Sequence, residues 1–239
     1  MAARILGAYK PYANEAATEY VNLIGNALAL NSASPQIYGG YHFLILDSAD
    51  IDTFSAPGGF VFITRGILGL AENEDMVACI LAYSISHIVM HSGLQSIREA
   101  RRVDALLMVA DAAAQSSDKA DLGNMDPLSR KEVGEIPRTS ALSHITQRQV
   151  LEADRMAVEL ARKTGYDPTA LRDILILLPK KAEANESHQM TMFPSIGARL
   201  KAIDNELKVV SIARAGKADL IARQKRFEEA LDGIRDRPQ

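Results

Sequence analysis

The sequence predicts an α+β protein, mostly helical, with a small β-sheet and a helix at its C-terminus. Three observations point there. Apolar residues recur at helical spacing through several long stretches. Two β-rich runs, HFLILD at 42–47 and FVFIT at 60–64, lie either side of a Pro57-Gly58-Gly59 turn. The last stretch places Leu220, Phe227, Leu231 and Ile234 at helical intervals.

In chain order, Glu15 to Leu30 reads as an amphipathic helix, with Ala16, Tyr20, Leu23, Ile24, Ala27 and Leu28 on its buried side. Asn31 to Gly40 is a loop rich in Asn, Ser, Pro and Gly. His42 to Asp47 is one strand and Phe60 to Thr64 a second, joined through the Pro57-Gly58-Gly59 turn. Helical positions resume at Arg65, and Glu72 to Gly93 forms the central helix. Glu72, Glu74 and Asp75 lie in its first turn, where the macrodipole favours negative charge. Val77, Ile80, Leu81 and Ile88 give its apolar spacing, and Gly93 its stop.

Ile97 to Gln115 is a further helix, apolar through Val103, Leu106, Leu107 and Ala110. From Ser116 to Thr146 periodicity fails and Gly123, Pro127, Gly134 and Pro137 punctuate a long, flexible surface loop. Gln147 to Thr164 is a helix ended by Gly165, and Asp167-Pro168 opens another, to about Leu178. Ser195 to Val210 and Lys217 to Ile234 are helical. This gives a main domain over 1–205 and a C-terminal helical extension over 206–239. That last helix either packs back on the domain or serves a partner or a second copy as a dimerising face.

Composition narrows the function classes. A chain of 239 residues, 47% hydrophobic and 24% charged, can bury one sizeable core. A net charge of −3 supplies no basic field, so nucleic acid and anionic membrane surfaces are not expected partners. No apolar run approaches the roughly 20 residues needed to span a bilayer. The N-terminus, MAARILGAYKPY, lacks the basic-then-apolar pattern of a leader. The single cysteine, Cys79, excludes an intrachain disulfide and reads as a buried small hydrophobe.

The chemistry is concentrated in the central helix, at Tyr83-Ser84-Ile85-Ser86-His87. Before it stands Phe54-Ser55-Ala56-Pro57-Gly58-Gly59-Phe60-Val61-Phe62-Ile63-Thr64-Arg65-Gly66, and then Leu70-Ala71-Glu72-Asn73-Glu74-Asp75. After it come Glu152-Ala153-Asp154-Arg155-Met156-Ala157, Phe193-Pro194-Ser195 and Arg199. In this order the blocks resemble those of the M48 family of zinc metallopeptidases, which are gluzincins, over about Ile5 to Leu207. The family's helix carries H-E-x-x-H, two histidines that hold zinc around a glutamate general base. In that frame Tyr83 occupies the first histidine's position, Ser84 the glutamate's, and His87 the second histidine's. Val150 stands at the third ligand's position, and Phe193 where the family places a histidine before its Pro-Ser pair.

The resemblance therefore implies the scaffold without its usual chemistry. A catalytic zinc takes three protein ligands and keeps one position open. Tyr83 and Val150 depart from that set, and even changes outside the ligands typically cost about 10–100-fold in metal affinity. Without metal, nothing lowers the pKa of the attacking water from about 15.7 towards 7. Ser84 cannot take its proton as a carboxylate would. No catalytic residue and no cofactor are expected. The alternative is a metal, zinc in the first place, held weakly by His87 and His91, which share a helix face. Glu152, Asp154 or His144 would complete that site. Against it stands a pair of hydrogen-bonded cleft histidines, the simpler arrangement. Asp154 resembles the family's orienting carboxylate, with His87 as its remaining partner, and Arg199 the family's cleft arginine. His42 and His188 read as surface or loop histidines.

The expected role is then that of a non-catalytic M48 relative binding a polypeptide. Tyr83, Ser84, His87, His91, Val150, Asp154, Phe193 and Arg199 would line its cleft. An extended segment would add to the Phe60–Thr64 strand by β-augmentation. Two alternatives stand beside it: a zinc metalloendopeptidase with an altered site, and an assembly subunit that oligomerises through Leu220, Phe227 and Leu231. Export, as in the periplasm, is implied by the resemblance alone.

Overall fold

A computed structural model describes residues 1–90, 146–182, 194–210 and 216–235. The expected helix over 97–115, the loop over 116–145, Gly93, His91, His144, His188 and Phe193 lie outside the described residues. In order, the elements are α1 (Ala2–Ala8), α2 (Glu15–Asn31), β1 (His42–Leu46), β2 (Thr53–Ala56), β3 (Phe60–Thr64), α3 (Arg65–Leu68) and α4 (Glu74–Val89). After them come α5 (Gln147–Lys163), α6 (Ala170–Ala182), α7 (Ile196–Val209) and α8 (Lys217–Arg235).

Several helices begin where the sequence supplies a cap. Asn14, Asn73 and Ser195 each accept a hydrogen bond from the backbone N–H three residues on, which satisfies one orphan donor of the first turn. Thr146 does the same for α5 and is answered by Gln149, a full capping box. In α2 the buried face runs through Ala17, Tyr20, Val21, Ile24 and Leu28. This corrects the expected face by one helical step: Ala16 and Leu23 point outward, and Leu23 is 62% exposed.

The sheet has three strands in the order β1-β3-β2, with β1 parallel and β2 antiparallel to β3. Two expectations are corrected here. Pro57-Gly58-Gly59 joins β2 to β3 as a hairpin, not β1 to β3, and Gly58 and Gly59 take the positive φ of +91° and +87° that the turn demands. Phe60–Thr64 is the central strand, paired on both sides, so no peptide can add to it. The outer edge of β1 is also covered: Tyr12 donates its N–H to the Ile45 carbonyl, and Asp47 to that of Lys10, both at 2.8 Å. Among the described residues no strand pairs with the outer edge of β2.

Side-chain alternation then gives the sheet two buried faces. Phe43, Ile45, Val61 and Ile63 point into the main core with α2, α4, α5 and α6. Leu46, Ala56 and Phe62 point the other way, where Ile5 of α1 covers them. At the centre α4 is buried almost all round, and it packs most extensively with α5. Small residues on both, Ala78 and Ala82 against a helix carrying Ala153, Ala157 and Ala161, permit that close approach. Cys79 is fully buried with its thiol 3.6 Å from the Asp167 carbonyl, as a small hydrophobe would be.

Phe227, Leu231 and Ile234 of α8 are also part of the core. Two of the three residues expected to form an assembly face are thus spent inside this chain, and only Leu220, 48% exposed, remains outside.

Candidate functional site

Four of the residues singled out from the sequence converge on one end of α4. Tyr83 and His87, one helical turn apart, meet edge to face, with ring centroids 4.8 Å apart and planes at 86°. The guanidinium of Arg199, brought in by α7, lies 4.9 Å from the centre of the Tyr83 ring. Its Nε and Nη2 donate to the two carboxylate oxygens of Asp154 on α5, at 2.9 and 2.7 Å. Asp154 is completely buried and Arg199 nearly so, so the pair sits where charge must be matched.

Ser84 is fully buried, and its hydroxyl donates to the Ile80 carbonyl of its own helix at 3.1 Å. The Ser84 carbonyl accepts from the Ser55 hydroxyl at 2.8 Å, which fastens β2 to α4 beside the site. Val150, at the start of α5, is likewise fully buried. Glu152 is separate. It is half-exposed on another face of α5 and pairs with Arg155 at 3.3 Å, away from the buried Asp154. His42 opens β1 and is exposed, with a ring nitrogen 2.8 Å from the Gly39 carbonyl, a surface histidine.

Burial dominates the electrostatics. It lowers the His87 pKa to about 4, helped by the Arg199 charge, so the ring is neutral at physiological pH. Burial also pushes the Tyr83 phenol up to about 12, against the pull of Arg199. The Asp154 carboxyl is raised by burial while Arg199 pulls it back. One contributor escaped the sequence reading. Asp52, in the turn before β2, adds its field to that on Tyr83, and burial lifts its own carboxyl to about 6. Nothing local marks it, because its relation to Tyr83 exists only once β2 lies along α4.

Residues 15–207 match the family described as Peptidase family M48. The chain belongs to peptidase family M48. Among its relatives are the beta-barrel assembly-enhancing protease of Yersinia pestis and the metalloprotease LoiP of Escherichia coli. The first is 26% identical over 163 residues, covering 66% of this chain and 32% of the relative. The second is 20% identical over 200 residues, covering 84% and 74%. The mitochondrial metalloendopeptidase OMA1 of Schizosaccharomyces pombe is 24% identical, over 72% of this chain and 45% of its own. The chain thus spans about a third of the length of the first of these relatives.

M48 members are zinc metallopeptidases, so the donors around this M48 chain's site can be tested against zinc. His87 offers one neutral imidazole. Tyr83 would have to lose its proton to ligate, and burial holds that proton on. Val150 has no lone pair, and both Asp154 oxygens are taken by Arg199, whose cation would repel a metal nearby. Among the described residues no three His, Cys, Asp or Glu side chains gather as a metal-holding group. Among the described residues the donor chemistry does not make a three-ligand zinc set. No helix among the described residues is long and apolar enough to cross a membrane.

Proposed function

We propose that this M48 chain binds an extended polypeptide segment without cutting it. The observation that carries the reading is the position of β2. Its outer edge carries no strand among the described residues, and Ser55 ties it to α4 at Ser84, next to Tyr83 and His87. A peptide adding there would complete main-chain hydrogen bonds of the sheet, with its side chains beside the Tyr83–His87 pair. This relocates the expected augmentation from the covered Phe60–Thr64 strand to the edge that no strand pairs with among the described residues.

The absence of cutting rests on the chemistry of the donors. With Tyr83 a phenol, Val150 aliphatic and Ser84 bonded to its own helix, the described residues supply neither a zinc set nor a carboxylate base beside His87. Arg199, neutralised by Asp154, is held against the Tyr83 ring. The family resemblance supports export, as to the periplasm, as the compartment of this chain.

The deciding measurement is metal content after purification without chelator, beside the variant Tyr83→His/Ser84→Glu/Val150→Glu. The natural protein is expected to be metal-free and inert towards casein, and the triple variant to take up about one zinc per chain. About one equivalent of zinc in the natural protein, with casein cleavage that a chelator abolishes, would establish a metalloendopeptidase with an altered site instead. Binding itself is read by fluorescence anisotropy of labelled, unstructured casein fragments. Saturable binding that Thr53→Pro abolishes supports the edge of β2, whereas binding indifferent to that change removes it.

A further inference from the structure

We infer that α8 is an internal strap that completes the M48 fold, drawn onto α4 by a buried carboxylate whose ion-pair partners among the described residues are both arginines of α8. The matched family span ends at residue 207, before this helix begins. The inference does not depend on whether the site at the other end of α4 holds metal or cuts peptide.

Glu74 stands in the first turn of α4, where a carboxylate usually faces solvent, yet it is only 1% exposed. The macrodipole favours a negative charge there, but its effect is small beside the desolvation of a buried carboxylate, which needs a cation and hydrogen bonds. Arg226 supplies both, donating from Nε and Nη2 to the two oxygens at 3.2 and 2.7 Å. Arg223, one turn earlier on the same face, brings its Nε to 4.0 Å from Glu74.

Arg223 also extends the connection. Its Nη1 donates to Asp75 at 2.9 Å and its Nη2 to the Gly165 carbonyl at 2.8 Å, while the guanidinium lies over the Tyr166 ring at 4.7 Å. Asp75 in turn accepts the N–H of Asp167 at 3.1 Å. Two arginines thus hold α8 to the base of α4 and to the turn between α5 and α6. Continuing along that face, Phe227, Leu231 and Ile234 enter the core. Charge match and apolar burial lie on one stripe of α8, which commits that stripe to its own chain.

Hydrogen exchange on the full-length protein tests the strap directly. Amides of 223–234 are expected to exchange with protection within about tenfold of those of 77–87, as one cooperative unit. An α8 that exchanges far faster than α4 in the natural protein is a free arm and overturns the inference. The ion pair is tested by a cycle of Arg226→Met, Glu74→Gln and the double variant. Arg226→Met alone leaves the carboxylate short of a cation, and its melting midpoint should fall by about 10 °C, with faster exchange in 223–234. The double variant should regain at least half of that loss. Additive losses, or no loss in either single variant, overturn the role of the pair. If Arg226→Met fails to fold while the double variant folds, the pairing stands; if neither folds, exchange in the natural protein decides.

Discussion

Arg199 and Asp154, 45 residues apart in sequence, meet through two nearly parallel hydrogen bonds of 2.9 and 2.7 Å, and the same guanidinium rests on the face of Tyr83. The pair joins α7 to α5, and the ring contact joins both to α4. A buried ion pair of this kind contributes little net stability when intact, but removing one member strands the other charge.

Arg199→Met should therefore destabilise the protein by about 3–5 kcal/mol, read from urea unfolding, because Asp154 is left enclosed without its cation. Lysine should repair only part of the loss, since a point charge cannot reproduce the planar two-bonded fork. A joint Asp154→Leu/Arg199→Met change should fall much closer to the natural protein. A double variant as unstable as the sum of its parts would mean that the two residues do not act as a pair.

His87 makes a contribution that depends on pH. Its folded pKa of about 4 lies below the ordinary 6.5, so between these values the unfolded chain binds the extra proton. Stability from this group is complete above pH 6.5 and is lost as pH falls towards 4. Asp52 acts in the opposite sense. Its carboxyl is raised from 3.8 to about 6, and it adds stability as pH falls through that window. Comparing the natural protein with His87→Gln cancels the Asp52 contribution. The stability difference between them should change by about 2 kcal/mol from pH 7 to pH 5, in favour of the variant at the lower pH. Parallel pH profiles would show that the ring titrates normally.

Ser55→Ala removes the single side-chain hydrogen bond described between β2 and the Ser84 carbonyl. The expected cost is about 1 kcal/mol in thermal or urea unfolding. If β2 presents its edge to a peptide, affinity should fall more than stability does, because the edge is no longer held against α4. Unchanged binding with the expected stability loss would separate the hydrogen bond from any binding role.

Gly25→Ala sets two effects against each other. Alanine would favour α2 by about 1 kcal/mol through helix propensity. Its Cβ, however, would lie 2.5 Å from the Phe43 ring, and Phe43 is buried against the same helix with little room to retreat. Steric displacement should win, with a net loss of about 1–3 kcal/mol. A stabilised variant would show that the contact between β1 and α2 is looser than its geometry.

What the sequence could disclose depended on whether the information was local. The periodic helices from Glu15, Glu74, Gln147 and Lys217 were legible because their signals lie within a few residues of one another. The strand Thr53–Ala56 was not. It is short, partly buried through most of its length, and lacks alternation, so the glycine turn beside it was attached to the wrong pair of strands. That error also carried the docking edge to a strand that proves central. At the site, Tyr83 and His87 shared a helix face by spacing alone. Their meeting with Asp154 and Arg199 followed only from the family's block order, since three separate helices bring them together. Arg223 and Arg226 illustrate the opposite difficulty. Charges on a helix usually serve only solvent, and only the burial of a distant glutamate gives these two a partner across the fold.

The N-terminal segment that seals β1 through Lys10 and Tyr12 has a bearing on valency. A sheet open on both sides can relay an added strand into another copy, and so on into a fibre. Here, among the described residues, one side is already closed by the chain itself, so an incoming strand finds a single berth and terminates the sheet. Complexes formed this way should be one-to-one and self-limiting, however high the concentration of either component.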